Sequence, residues 1–360
     1  MTAPFRVQLL LWYDQEADAL PWRSQPPNPY HIWLSEIMLQ QTQVETVIPY
    51  DARFLATYPT IHTLAEAPID DVLKLWEGLG YYSRARHLQQ TAQIISNQFA
   101  GKLPQTLAEL QQLPGIGRYT AGAIASIAFN QPAPIVDGNV IRVFSRLTDL
   151  KDDVRKTATK NHLWQLAEDW VPTERPGDYN QALMELGRRI CKPRNPLCDL
   201  CPIQSHCRAH KNNTQHQRPV KAKKAPVPHI NVAAGIIYDP QGRILIAQRN
   251  VQDMLGGLWE FPGGKQKPDE TLPQTLQREL REELAIEVAV DELFVVVKHA
   301  YTHFKMTMHT FKCRHIGGEP QKVDVQNFAW VTEEDFDQYA FGKADRLVIE
   351  ALQKRRDLLI

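Results

Sequence analysis

The stretch Cys191-Lys-Pro-Arg-Asn-Pro-Leu-Cys198-Asp-Leu-Cys201-Pro-Ile-Gln-Ser-His-Cys207 holds four of the five cysteines of the chain, at spacing C-x6-C-x2-C-x5-C. Four thiolates this close in sequence can all reach one point, which suits a [4Fe–4S] cluster or a tetrahedral zinc. The unequal gaps differ from the paired C-x2-C of most zinc ribbons and favour the cluster. Disulfides or unlinked thiols are the plainer alternatives. The fifth cysteine, Cys313, lies far away. A low cysteine count with one cluster fits a reducing compartment.

Upstream lies Leu113-Pro-Gly-Ile-Gly-Arg-Tyr-Thr-Ala121, followed by the small-residue run Gly122 to Phe129. A glycine turn between two helices presents bare backbone N–H groups, which can hold a phosphate; an ordinary helix–helix turn looks similar. Beyond it comes Val136-Asp-Gly-Asn-Val140, with Asp137 eighteen residues past Tyr119. An aspartate at a helix start is usually an N-cap. Hairpin, aspartate and cysteine loop together resemble the helix-hairpin-helix DNA glycosylases of the endonuclease III-like branch. The resemblance implies a [4Fe–4S] cluster on Cys191, Cys198, Cys201 and Cys207, and hairpin glycines Gly115 and Gly117 at the DNA backbone.

A third motif narrows the family. Trp33-Leu-Ser-Glu-Ile-Met-Leu-Gln-Gln-Thr-Gln-Val44, with Gly78-Leu-Gly-Tyr-Tyr82, resembles the adenine DNA glycosylases of A/G mismatch repair, the MutY family. Read by periodicity, His31 to Val47 is one amphipathic helix with Trp33, Ile37 and Val44 on its apolar stripe and Glu36 beside it. The resemblance makes Glu36 the catalytic acid, with Asp137, Asn139 and Tyr119 completing the site. It also places Gln41 and Tyr81 in the duplex as wedges, with Thr42 and Leu79 close by. Relatives with lyase activity carry a lysine where this chain has Tyr119, and a phenol cannot form a Schiff base.

The chemistry explains the need for two carboxyls. Adenine leaves poorly unless its ring is protonated, and the transition state at the sugar is oxocarbenium-like. One carboxyl must stay protonated near neutral pH, which burial favours, while the other remains charged against the sugar cation. Glu36 is expected in the first role and Asp137 in the second. The base must first be flipped out of the stack, and an inserted side chain can fill the gap.

The C-terminal part carries another signature. Gly264, Glu270 and Arg278-Glu-Leu280-x-Glu282-Glu283 match the Nudix box, except that Ala285 stands where a glycine is expected. Glutamates 279, 282 and 283 share a helical face and could chelate Mg²⁺ between diphosphate oxygens. In the resembled family this domain instead reads 8-oxoguanine and hydrolyses nothing. The resemblance assigns that task to Tyr301-Thr302-His303, through the Thr302 hydroxyl and its neighbour His303.

The 360 residues suffice for two domains, and the 43% apolar share allows real cores. No apolar run is long enough to span a membrane, and the N-terminus lacks secretion features. Net charge is zero, yet Arg208 to Lys224 holds six basic residues and no acid, leaving the remainder at −6. That run reads as a solvated linker, with phosphate tracking as a further use. Arg188, Arg189, Lys192 and Arg194 are expected to give the cysteine loop a phosphate-binding surface.

The expected architecture is an all-α helix-hairpin-helix glycosylase domain over residues 1–209, including the iron–sulfur loop 191–207. A basic linker follows over 210–228, then an α/β Nudix-like domain over 229–360, with strands at Ile230–Tyr238, Arg243–Gln248, Phe294–Lys298 and Lys305–Cys313 and a helix at Leu272–Leu284. The expected activity is that of a monofunctional adenine DNA glycosylase. It would act as a monomer in a bacterial cytoplasm, on double-stranded DNA with adenine opposite 8-oxoguanine or guanine and without a membrane partner. The rivals are a bifunctional glycosylase/lyase, a nucleotide-pool Nudix pyrophosphatase and a non-catalytic lesion binder.

Overall fold

The computed structural model describes residues 5–222, 226–301 and 303–357. In chain order the helices are α1 (Arg6–Glu16), α2 (Pro29–Leu39), α3 (Val44–Thr57), α4 (Ile61–Glu66), α5 (Ile69–Leu75), α6 (Ser83–Gln98), α7 (Leu107–Leu110), α8 (Arg118–Phe129), α9 (Gly138–Leu147), α10 (Thr157–Trp170), α11 (Pro176–Arg189), α12 (Arg208–Lys211), α13 (Leu272–Leu284) and α14 (Lys343–Asp357). The strands are β1 (His229–Tyr238), β2 (Ile244–Gln248), β3 (Trp259–Glu260), β4 (Gly263–Lys265), β5 (Glu287–Ala300), β6 (Lys305–Gly317) and β7 (Asn327–Val331).

Packing divides the chain into two units, Met1–Glu66 with His87–Lys224, and Ala67–Arg86 with Ala225–Ile360. The first is helical. Its α2 is capped by Asn28, whose side chain accepts from the Tyr30 and His31 backbone N–H groups, and Pro29 opens the helix. Tyr30 and every residue from Ile32 to Met38 are buried, so α2 is a core helix rather than the amphipathic one expected. It also stops at Leu39. Gln41 takes a left-handed backbone (φ 60°) and breaks the path, so Val44 starts a separate helix.

A second cluster of the helical core joins α8, α9, α10 and α11 through Ala123, Val140, Phe144, Leu163 and Leu186. Two small residues permit this closeness. A Cβ on Gly187 would come 2.5 Å from Asn139 Cβ, and one on Gly177 would come 2.6 Å from the Ser126 carbonyl oxygen.

The second unit is built on a mixed sheet of order β3-β2-β1-β6-β5, with β4 also pairing with β1 and β7 with β2. Strands β1 and β6 are parallel; the other pairs are antiparallel. Alternation along β1 and β2 separates two cores. Ala233, Ile237, Leu245 and Ala247 face Leu276, Leu280 and Leu284 of α13. Ala234, Ile236, Ile244 and Ile246 face Val348, Ile349 and Leu352 of α14. The α13 bounds are those expected, because Thr271 and Gln274 form a capping box and Ala285 ends the helix in the left-handed region (φ 57°). That backbone explains why a glycine is expected at 285. Strand β5 starts seven residues before the expected strand at Phe294, and bulges interrupt its pairing with β6.

Two boundaries differ from the sequence-based expectation. Ala67–Arg86 belongs with the C-terminal residues, held by Gln248–Asp70 and Arg346–Glu77 contacts among others. The basic run is not a free linker over its described part. Arg218 pairs with Asp149 at 2.8 Å, and the Val154 N–H donates to the Val220 carbonyl at 3.1 Å, fastening it to the helical unit.

Candidate active site

Three elements of the helical unit converge on one cavity of about 480 Å³, whose lining includes Glu36, Tyr119, Asp137 and Asn139. Helix α2 brings Glu36 to it with only 4% of its surface exposed. The first turn of α8 brings Tyr119, whose hydroxyl donates to Glu36 Oε2 at 2.9 Å, with the Met184 sulfur 3.1 Å away. Asp137 is the N-cap of α9. Its Oδ1 accepts from the Val140 N–H at 2.7 Å and its Oδ2 from the Asn139 amide at 2.8 Å. The four residues singled out for chemistry in the sequence therefore meet at one place.

Their environments split the two carboxyls. Burial pushes Glu36 from an ordinary 4.5 up to about 7, assisted by the Asp137 charge and opposed by the Tyr119 hydrogen bond and Arg23. Burial also raises Asp137, but the Val140 and Asn139 N–H groups, the Asn139 amide and Arg142 all oppose it. Glu36 is thus suited to hold a proton near neutral pH, while Asp137, raised by the same burial, has four neighbouring groups that favour its charged form. Burial holds the Tyr119 phenol well above its usual range, as a neutral donor.

A buttress stands behind Asn139. Its Oδ1 accepts from Arg142 Nη2 at 2.8 Å, and the same guanidinium donates to the Gly187 and Cys191 carbonyls, each at 2.6 Å. One turn on, buried Arg146 donates to the Cys191 sulfur at 3.2 Å and to the Lys192 carbonyl at 2.8 Å. One face of α9 thereby fastens the cysteine loop and the catalytic end of the same helix.

Other residues of the cavity wall escaped sequence reasoning. Arg23 Nη1 stands 2.6 Å from Glu185 Oε2, and Glu185 Oε1 accepts the Asp18 N–H at 2.8 Å. Trp22 lies beside them. Glu185, Arg188 and Arg189 at helical spacing look like a surface ion-pair ladder, and nothing in that pattern marks the glutamate as 2% exposed. Arg188 is engaged by Asp18 and Arg189 by Glu16 and Glu185. They are therefore ion-paired, unlike the open phosphate contacts expected of them; Lys192 and Arg194 are exposed.

Cys191, Cys198, Cys201 and Cys207 line a single small cavity with Arg146 and His210. All four are free and half-buried. Burial raises the Cys201 thiol to about 12 and also raises Cys198 and Cys207, a cost that a bound cationic centre removes by holding thiolates. Among the described residues no three His, Cys, Asp or Glu side chains form a group fit for one metal ion. Thiols spaced around a cavity, with a buried arginine beside them, suit a polynuclear iron–sulfur cluster.

The expected DNA-contacting residues differ in setting. Gly115 is left-handed (φ 75°), and a Cβ there would meet His87 Cβ at 2.7 Å, whereas a Cβ on Gly117 would enter open space. Thr42 lines the cavity, while Gln41 is exposed outside it. In the other unit Leu79 is buried, and Tyr81 is 42% exposed with a left-handed backbone (φ 48°). Thr302 lies outside the described residues; its neighbours form the β5–β6 turn, where the Tyr301 N–H donates to the Phe304 carbonyl at 2.9 Å and His303 is exposed.

The Nudix-box glutamates have different surroundings. Glu279 and Glu283 line a cavity of about 270 Å³ with Glu260, Arg249 and Asp345. Glu282 instead turns to Arg278 at 2.9 Å, which also binds Glu270 and Glu279. Burial and the charges of Glu260 and Glu279 push Glu283 up to about 9. Arg278 thus holds both Glu279 and Glu282, while Glu283 has no such partner among the described residues of the box.

Comparison with known proteins places the chain in a family. The description "HhH-GPD superfamily base excision DNA repair protein" fits residues 34–169, "Iron-sulfur binding domain of endonuclease III" residues 191–207, and "NUDIX domain" residues 233–351. The loop is accordingly an iron–sulfur site. A thermostable thymine-DNA glycosylase of known structure superposes with a TM-score of 0.52 at 29% identity, over 58% of this chain and 95% of that one. The adenine DNA glycosylase of Rattus norvegicus is 38% identical over 98% of this chain and 78% of its own length. That of Homo sapiens is 36% identical over 97% and 74%. The similarity runs through both units, so the chain is a DNA glycosylase of base excision repair and belongs to the adenine DNA glycosylase family.

Proposed function

We propose that this enzyme removes adenine mispaired with 8-oxoguanine or guanine, and that Glu36 and Asp137 divide the chemistry. Glu36 gives its proton to the flipped adenine ring. The C1′–N bond breaks with its electron pair leaving on the adenine, and the Asp137 carboxylate stabilises the sugar cation until water adds at C1′ and loses its proton to solvent. Tyr119 and Asn139 hold the two carboxyls in place. The observation that carries this assignment is the buried Glu36, bonded to Tyr119 in the cavity that also holds Asp137.

Tyr119 supplies no amine, so the reaction stops at the abasic site without strand cleavage. Gly115 and Gly117 offer backbone N–H groups to phosphates, Gln41 and Tyr81 fill the vacated stack with Thr42 and Leu79 supporting them, and the β5–β6 turn with Thr302 and His303 reads the opposite base. The enzyme acts as a monomer on double-stranded DNA; among the described residues no helix is long and apolar enough to cross a membrane.

The test is single-turnover adenine release from duplexes with adenine opposite 8-oxoguanine, guanine or thymine. The expected order is 8-oxoguanine, then guanine, with thymine inert. Equal rates on all three would remove the assigned specificity, and strand scission alongside release would remove the monofunctional assignment.

A further inference from the structure

The loop after α5 carries the exposed Tyr81, and its Glu77 is tied to the C-terminal residues. Glu77 receives Arg346 of α14 through both oxygens, at 3.0 Å for Nη2 to Oε2, and Glu77 Oε1 also accepts the Phe341 N–H at 3.2 Å. Lys74 bridges the same carboxylate at 3.0 Å and the Tyr339 carbonyl at 3.1 Å. The pair is only 18% and 16% exposed, and forked contacts of this kind fix direction as well as distance.

From Glu77 to Tyr81 the backbone has little freedom. The Trp76 indole donates to the Gly80 carbonyl at 3.2 Å. Buried Arg84 donates to the Leu79 and Gly80 carbonyls at 3.0 Å and stands 5.6 Å from the Tyr81 ring. The aromatic ring is therefore presented by a stiff loop whose root is set by Arg346.

We infer that Glu77 and Arg346 are positioning residues for base extrusion: the C-terminal part of the chain sets the place of the Tyr81 ring through this ion pair. The inference rests on Tyr81 entering the duplex. A ring held by a stiff support loses less entropy on insertion, which is the physical advantage of such a tether.

The experiment uses the full-length, iron-replete protein. Wild type, Arg346→Met, Glu77→Gln, Tyr81→Ala, the double variant Tyr81→Ala/Arg346→Met and the reversed pair Glu77→Arg/Arg346→Glu are compared. The readouts are single-turnover adenine release and the fluorescence of 2-aminopurine beside the target adenine, which reports unstacking. Thermal unfolding identifies folded variants; Glu77→Gln carries the comparison if Arg346→Met does not fold. Release and unstacking are expected to fall about tenfold in Arg346→Met and in Tyr81→Ala, with the double variant no slower than Tyr81→Ala alone and the reversed pair partly restored. Multiplying losses in the double variant, or a wild-type rate in folded Arg346→Met and Glu77→Gln, would overturn the tether while leaving Tyr81 as the wedge. A wild-type rate in Tyr81→Ala would overturn the wedge itself and the tether with it.

Discussion

At the scale of single residues, the function turns on where protons sit. The folded pKa of Glu36, about 7, lies above its ordinary 4.5. Its contribution to stability is therefore full below about pH 4.5 and is lost as pH rises through 7. The two values imply roughly 3 kcal/mol of destabilisation at alkaline pH. Glu36→Gln should abolish adenine release yet raise the unfolding temperature at about pH 8 by several degrees, with little change at about pH 4. Equal unfolding temperatures across that range would show that the acid is not held protonated by burial. Asp137→Asn should slow release by about 10² to 10⁴ while the Val140 N–H cap survives through the amide oxygen. Measured stability near wild type with that rate loss separates electrostatic work from helix capping.

At the scale of elements, two glycines of the hairpin make opposite predictions. Gly115 is left-handed and would strike His87 if given a Cβ, so Gly115→Ala should destabilise the fold by about 1–3 kcal/mol. Gly117 has an ordinary backbone and open space, so Gly117→Ala should leave unfolding unchanged while weakening duplex binding. A stable Gly117→Ala with full affinity would remove the hairpin from the DNA surface. Gly187→Ala should drive α11 off α9 at Asn139, lowering both stability and release, and calorimetry beside single-turnover kinetics checks it. Much at this scale was legible in sequence, because capping, glycine and cysteine signals are local. Asp137 at a helix start and α13 over Leu272–Leu284 are read directly from neighbouring residues. The break in the expected helix to Val47 was not, since non-helical Gln40, Gln41 and Gln43 make it and glutamine carries no turn signature. Nor was the burial of Glu185, because its partners Arg23 and Asp18 come from the distant N-terminal segment.

At the scale of the whole molecule, the legible part was the pair of chemistries and the hidden part was how segments are shared. Motif spacing marks the glycosylase and Nudix regions, but no local pattern assigns Ala67–Arg86 to the C-terminal residues; Glu77 meets Arg346 across more than 260 positions of chain. The cysteine loop is held to α9 by Arg142 and Arg146, so losing the cluster should loosen that loop before it alters the Glu36–Tyr119 pair. Cys198→Ser should lower bound iron and duplex affinity more than the rate at saturating protein. Tight duplex binding without iron would contradict that order. The central claim is that burial keeps Glu36 protonated to deliver the proton to adenine. The most direct test is the pH profile of single-turnover adenine release from a duplex with adenine opposite 8-oxoguanine. Release should fall as pH rises through about 7, and Glu36→Gln should lack both the activity and the titration. A profile flat through that region, or a Glu36→Gln enzyme at the wild-type rate, would contradict the account.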